Sequence, residues 1–225
     1  MYFFDNEENE EIDKLHYEKY YLDLGYKYIC GIDEVGRGSL FGEVTACAVI
    51  MPLDNDIIKE ANDSKKLTAK KREELYKIII QKALSYSVYS VAANTIDKIN
   101  IYNATKLAML KAVEGLSIKP DILLIDAMKI DTEIKQESII KGDLKSYSIS
   151  CASIVAKVSR DKAMDRLSEK NKEYDKYKIS KNKGYGTKEH IEAIKKYGAS
   201  DLHRLSFEPI KSIKKEMKEE NSFFI

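Results

Sequence analysis

Cysteine is scarce in this 225-residue chain: Cys30, Cys47 and Cys151 each sit in an apolar run, and none has C-x-x-C spacing. This excludes a zinc site or disulfide framework and reads as small core residues in a reducing compartment. Long apolar runs are also missing. No stretch of about 18 apolar residues occurs, so no transmembrane helix and no membrane partner are expected. The start, Met1-Tyr2-Phe3-Phe4-Asp5-Asn6-Glu7-Glu8, lacks the basic head and apolar centre of a signal peptide. The expected location is the cytoplasm. There is no internal repeat and no low-complexity linker. Gly36 and Gly38 begin a G-x-G, but Phe41 stands where the dinucleotide fingerprint needs a third glycine, and no phosphate-loop G-x-x-x-x-G-K-[ST] occurs. The three histidines, His16, His190 and His203, are not needed as metal ligands. His190, on a polar helix, is expected to be solvated, and His203, beside Arg204, to serve structure ahead of a phosphate contact.

What is present concentrates at residues 29–38, Ile-Cys-Gly-Ile-Asp-Glu-Val-Gly-Arg-Gly. An apolar strand ends in two adjacent carboxylates, Asp33 and Glu34. Other adjacent acids, such as Glu73-Glu74 and Glu219-Glu220, lie in helical or solvated settings. A carboxylate at the end of a buried strand is costly unless something compensates its charge. A divalent cation would do so. The glycines of Gly36-Arg37-Gly38 let backbone amides approach a phosphate or sugar, and Arg37 adds a fixed positive charge. Metal ligands beside an anion-binding turn suggest phosphoryl-transfer chemistry.

Along the chain, an acidic start leads into a helix with Leu15, Tyr20, Leu22 and Leu24 partly periodic, ended by Gly25. Strands are expected near 27–33 and 43–51, the second broken by Pro52. Thr68 N-caps a helix through 82 with Leu75, Ile78, Ile79 and Ala83 facing inward. A third strand spans 85–93 and a helix 103–116. Asp121–Asp126 is a continuous apolar run, the signature of a central strand parallel to a neighbour, and it too ends on a carboxylate, Asp126. A short fifth strand is expected near 145–149, then helices over 151–172 and 187–197. For the tail 211–225, helix and frayed chain both remain open. The pattern is α/β with a mixed central sheet flanked by helices and a helical C-terminal region. Ligands in such sheets gather at the carboxyl ends of strands, where Asp33, Glu34 and Asp126 fall.

The net charge of +1 hides an asymmetry, because residues 5–13 hold six acids and no base. Bases gather at Lys65, Lys66, Lys70, Lys71 and Arg72, and again at Lys178, Lys181, Lys183 and Lys188 among Tyr174, Tyr177 and Tyr185. Such loops suit a nucleic-acid backbone, and a solvated lysine-rich surface suits them equally. Asp161 is four residues after Lys157 on one helix, the spacing of a surface ion pair.

Six ordered blocks carry a resemblance. They are Gly31-Ile32-Asp33-Glu34-Val35-Gly36-Arg37-Gly38, Asp63-Ser64-Lys65-Lys66-Leu67, Ile125-Asp126, the run Ala152-Ser153-Ile154-Val155-Ala156-Lys157-Val158-Ser159-Arg160-Asp161, Lys183-Gly184-Tyr185-Gly186-Thr187, and His203-Arg204-Leu205-Ser206-Phe207. Together they resemble bacterial ribonuclease HII over residues 28–208. The resemblance implies an RNase H-like fold; the expected organisation is a catalytic domain over 26–210 between an acidic extension (1–25) and a tail (211–225), and the chain is expected to act as a monomer. It implies hydrolysis of RNA in RNA/DNA hybrids and cleavage 5′ of single ribonucleotides in duplex DNA. Asp33, Glu34, Asp126 and Asp161 would hold two Mg²⁺ or Mn²⁺ ions, with Asp33 as the bridging ligand. Gly36, Arg37, Gly38 and Tyr185 would read the RNA–DNA junction, and Lys65, Lys66 and Lys183 would grip the backbone. Ser39 stands where the family usually has proline, a change expected to loosen the turn without removing a catalytic atom. Two rivals share the fold: a non-catalytic hybrid-binding protein, which would lack a carboxylate of the quartet, and a nuclease that cuts all-DNA duplexes.

Overall fold

The computed structural model describes residues 13–54, 57–61 and 67–222. Helix α1 (His16–Asp23) precedes strands β1 (Ile29–Val35) and β2 (Val44–Ile50). Helix α2 (Ala69–Lys82), strand β3 (Ser85–Val91), helix α3 (Ala93–Glu114) and strands β4 (Ile122–Asp126) and β5 (Lys135–Ile139) follow. The chain then turns helical: α4 (Gly142–Lys145), α5 (Tyr147–Lys170), a 3₁₀ turn (Lys172–Tyr177), α6 (Ile179–Asn182), α7 (Lys188–Tyr197) and α8 (Ile210–Ser222). Among the described residues no helix is long and apolar enough to cross a membrane.

The five strands form one sheet in the order β3-β2-β1-β4-β5. β1 and β2, and β2 and β3, run antiparallel, whereas β4 is parallel to both β1 and β5. β4 is therefore the inner parallel strand that its unbroken apolar run predicts. Period-two alternation sorts the side chains of the sheet. Cys30, Ile32, Ala46, Ala48, Leu123 and Ile125 meet α3, while Cys47 and Val49 meet α2 and α5. A smaller core lies beyond the sheet, where Leu40 and Phe41 pack with Met164, Tyr174, Tyr177, Ile179 and Ile194.

The contact of α5 with β1 requires glycine. A Cβ on Gly31 would lie 2.1 Å from the Ser148 carbonyl carbon, so the first turn of α5 rests on the strand backbone. Small residues, Cys151, Ala152, Ser153 and Ala156, continue that approach. Helix α1 pins the same turn. The Glu18 carboxylate, fully buried, accepts from the Ser146 hydroxyl (2.6 Å) and the Ser148 amide (2.9 Å). Burial raises its pKa. The face of α1 turned inward is thus Glu18 and Tyr21, and Tyr20, Leu22 and Leu24 are exposed.

Three expectations need correction. Residues 147–149 are helical, because the Ser146 hydroxyl N-caps α5 by accepting from the Ile149 amide (3.2 Å); the fifth strand is Lys135–Ile139. That strand is only partly buried, so its sequence carries no apolar run to mark it. The helix expected from 103 begins at Ala93 and breaks at Asn100 (φ 65°), whose side chain accepts from the Asn103 amide (3.0 Å) and restarts it. Ile78, expected inside, is 37% exposed, while Leu75 and Ile79 are buried. The tail forms α8 through Ser222.

Candidate active site

Three of the four carboxylates gather where the parallel strands end. The β1–β4 register pairs Ile32 with Ile125, so the next residue on each strand is Asp33 and Asp126. Gly31, two residues before Asp33, faces the start of α5, and so does Asp33, which the Ser153 hydroxyl of α5 hydrogen-bonds. Asp33 is 6% exposed, and its Oδ1 also accepts from the Glu34 amide (2.7 Å). Asp126 is half-buried, and its Oδ1 accepts from the Gly142 amide (2.7 Å). Glu34, on the next position of β1, is drawn by Arg37 (3.3 Å) through one oxygen; its Oε2 is buried and has no hydrogen-bond partner.

The electrostatics follow from that crowding. Burial pushes Asp33 well above the usual carboxylate range, and the Glu34 and Asp126 charges push it further. Burial likewise raises Glu34, with Arg37 opposing and Asp126 adding. Two acids held against ionisation by burial and by one another are what a cation would relieve.

Asp161 lies on α5, half-buried, in an ion pair with Lys157 at 2.8 Å. The surface-pair reading of that spacing therefore describes the geometry. Among the described residues, no three His, Cys, Asp or Glu side chains are drawn close enough to hold a metal ion as they stand. Each carboxylate is instead held by a donor of its own: Ser153 and the Glu34 amide, Arg37, the Gly142 amide, or Lys157. The donor set nevertheless fits a hard divalent cation, being all carboxylate oxygen with one buried oxygen left unpartnered.

The glycine turn sits beside this edge. Gly36 has φ +89°, and a Cβ there would lie 2.3 Å from Arg160 Nε, so its glycine is required by packing as well as by the turn. At Gly38 an added Cβ would meet no protein atom within 4 Å, and Arg37 is exposed. Ser39 is buried, its amide donates to the Gly36 carbonyl (3.3 Å), and its hydroxyl has no partner. Ser39 and Tyr185 form an antiparallel bridge, as do Phe41 and His203. The Tyr185 ring is half-buried, with Lys157 Nζ at 5.8 Å and the Arg160 guanidinium at 5.6 Å from its centre. Lys183 is ion-paired with Asp165. Lys65 and Lys66 lie outside the described residues.

Sequence reading gave no role to the two side chains that hold these loops together. Arg160, fully buried, donates to the carbonyls of Glu43 (2.9 Å), Lys183 (2.9 Å) and Phe41 (3.2 Å). Arg204, also fully buried, donates to Gly42 (3.0 Å) and Arg37 (2.9 Å). Burial lowers the pKa of both, Arg204 to about 9, with Arg160 its second cause. A signal existed for Arg160: it continues the buried stripe Ile149–Ser153–Ala156 on to Met164. Arg204 lies in a loop with no periodicity to read. His190, expected in solvent, is fully buried against His203 and Tyr177, and His203 is structural, as expected.

Comparison with known proteins adds four findings. The family model described as Ribonuclease HII matches residues 30–210. A protein of Caldicellulosiruptor bescii named Ribonuclease HII is 52% identical over 200 residues, covering 88% of this chain and 95% of that protein. Among solved structures, the ribonuclease H2 of Pyrococcus horikoshii OT3 superposes with a TM-score of 0.71 at 24% identity, over 86% of this chain and all of that one. Bst-RNase HIII in complex with Mn²⁺ superposes at 0.63 and 19% identity, over 96% and 77% of the two chains.

Proposed function

The chain belongs to the ribonuclease HII family and is a ribonuclease H, and on that premise we propose how it acts. It hydrolyses the RNA strand of RNA/DNA hybrids and cuts on the 5′ side of single ribonucleotides in duplex DNA, in the cytoplasm, leaving 3′-hydroxyl and 5′-phosphate ends. Two Mg²⁺ or Mn²⁺ ions serve the reaction, held by Asp33, Glu34, Asp126 and Asp161. The observation that carries this is the pair of neighbouring strand ends, Asp33 and Asp126, with the unpartnered buried oxygen of Glu34 beside them. The Mn²⁺ complex of Bst-RNase HIII supports it.

When bound, such cations offset charge at the phosphate and lower the pKa of a coordinated water. The chain's own residues do the rest. Asp33 is fixed by the Ser153 hydroxyl and the Glu34 amide at the end of β1. Lys157 pairs with Asp161 and would release it to a cation. Gly38, open on its Cβ side, lets backbone amides reach the ribose 2′-hydroxyl, the group that distinguishes RNA from DNA. Gly36 shapes the same turn, and Arg37 adds charge-assisted contacts. Tyr185 packs its ring on the sugar beyond the ribonucleotide, where a deoxyribose fits more closely than a ribose. Lys65, Lys66 and Lys183 contact phosphates.

A DNA duplex with one embedded ribonucleotide, incubated with and without Mn²⁺, tests the reading. The expected result is one metal-dependent cut at the 5′ side of the ribonucleotide and an intact all-DNA control. Cleavage of the control, or a cut at another bond, sinks it in favour of a DNA nuclease. Binding without any cut favours the non-catalytic rival.

A further inference from the structure

The imidazoles of His190 and His203 lie outside the carboxylate site, and they form a chain that ends on Tyr185. The Ser200 amide donates to His203 Nδ1 (2.9 Å), and the Ser200 hydroxyl lies 2.8 Å from the same nitrogen. His203 Nε2 is 3.1 Å from His190 Nε2. His190 Nδ1 is 2.9 Å from the Tyr185 carbonyl oxygen.

Both ends of this chain dictate where its protons sit. An amide N–H only donates, so His203 Nδ1 accepts and the ring carries its proton on Nε2. A carbonyl only accepts, so His190 carries its proton on Nδ1 and turns a bare Nε2 toward His203. The two assignments meet at the middle bond without conflict. A third proton would set two N–H groups against each other, or one against the Ser200 amide. Burial holds both rings neutral by lowering their pKa, His203 to about 3, with His190 its second cause. The rings cannot turn freely: both are buried, and His203 sits edge-on to Tyr177 (4.7 Å) and Phe41 (5.0 Å).

Glycines flank Tyr185, so hydrogen bonds set its backbone: its amide donates to the Asn182 carbonyl (3.0 Å), and its carbonyl accepts from the Thr187 amide (2.8 Å) as well as from His190 Nδ1 (2.9 Å). The carbonyl anchor therefore bears on where the tyrosine ring points. We infer that His190, fixed in one tautomer by His203 and Ser200, is a positioning residue that holds Tyr185 for sugar recognition. The inference rests on the proposed role of Tyr185.

Two substitutions separate the bond from the bulk. The side-chain amide nitrogen of His190→Asn takes the place of Nδ1 and keeps the donor to Tyr185. That of His190→Gln reaches the place of Nε2 and loses it. On a duplex with one ribonucleotide, His190→Gln should raise KM about tenfold with kcat within about twofold, the scale of one lost hydrogen bond. His190→Asn should return KM to within about threefold of wild type. Equal KM in wild type and His190→Gln, or equal impairment in both variants, overturns the inference. Nitrogen-15 NMR of the unaltered protein gives a readout independent of folding in the variants, since the chain has only three histidines. His190 should appear as the Nδ1–H tautomer and His203 as the Nε2–H tautomer; the reverse pair contradicts the chain. Tyr185→Ala on the same duplex distinguishes the two levels. If it cleaves like wild type, the role of Tyr185 falls and takes this inference with it. If it is impaired while His190→Gln is not, only the inference falls.

Discussion

At the carboxyl edge of the sheet, polar groups are placed by the backbone; in the loops beside it, the backbone is placed by polar groups. Asp33 and Asp126 stand where they do because β1 and β4 share a register and are buried on both faces up to their last residues. Nothing so regular holds residues 36–43. There Arg160 and Arg204 reach in from distant segments and tie up four carbonyls, and Arg160 also holds that of Lys183. The first arrangement depends on apolar packing, which is distributed and tolerant of small change. The second depends on a few buried charges, where the loss of one partner leaves several polar groups unsatisfied. Substitutions at the edge should therefore cost activity, and substitutions among the loop anchors should cost stability.

The largest expected effect tests the first half of that contrast. Asp33→Asn should lower kcat by at least about 10³-fold, the scale of losing a main source of electrostatic stabilisation. Cleavage within tenfold of wild type would remove Asp33 from the chemistry.

Arg160→Ala tests the other half. It strips donors from one buried and two partly buried carbonyls and should destabilise the protein by about 3 kcal/mol. For a chain of this size that lowers Tm by roughly 6–12 °C. A drop of less than about 2 °C in calorimetry would mean that water or neighbouring donors replace the guanidinium.

Tyr185→Ala lies between the two regions. Activity on a single embedded ribonucleotide should fall about 10- to 100-fold, as for loss of one aromatic platform. The half-buried ring should leave Tm nearly unchanged. An effect on Tm larger than on activity would move Tyr185 to the structural side.

The smallest effect belongs to the lysines. Replacing Lys65, Lys66, Lys181 and Lys183 with Ala should weaken binding for every sequence alike. It should also flatten the log–log salt dependence by about 0.9 for each phosphate that is no longer neutralised. Lys181 and Lys183 already have protein partners, Glu189 and Asp165, which argues for the lower end of that range. An unchanged slope would return all four to a solvated surface.

The same contrast explains what the sequence made legible. The carboxylate edge could be read because each acid terminates an apolar run, and apolar runs are what periodicity detects. β4 shows this best: five residues predicted both its central place and the position of Asp126. The loop anchors could not be read in the same way. Arg204 reaches carbonyls 162 and 167 residues away, and the His190–His203 pair joins loop positions 5 and 13 residues apart, and neither leaves a periodic pattern. His190 defies a solvated reading for a related reason. Its helix is polar on most sides, and the one ring that turns inward does so to reach a loop carbonyl. The early start of α3 is hidden because Asn100 interrupts the helix and acts as a second cap.

The central claim is that the strand-end carboxylates form a divalent-metal site, and thermal unfolding tests it without any substrate. The folded state holds the Asp33 proton more tightly than the unfolded chain, so ionising it costs stability as pH rises above the unfolded carboxylate's pKa of about 4. Asp33→Asn escapes that cost. Without metal at pH 7 it should melt above wild type, and the gap should close as pH falls toward about 4. Saturating Mn²⁺ should raise wild-type Tm by about 5–10 °C, the effect of ligand at a hundred times Kd, and should move the variant far less. A wild type indifferent to Mn²⁺, or a variant that melts lower and responds to Mn²⁺ as fully as wild type, would contradict the account.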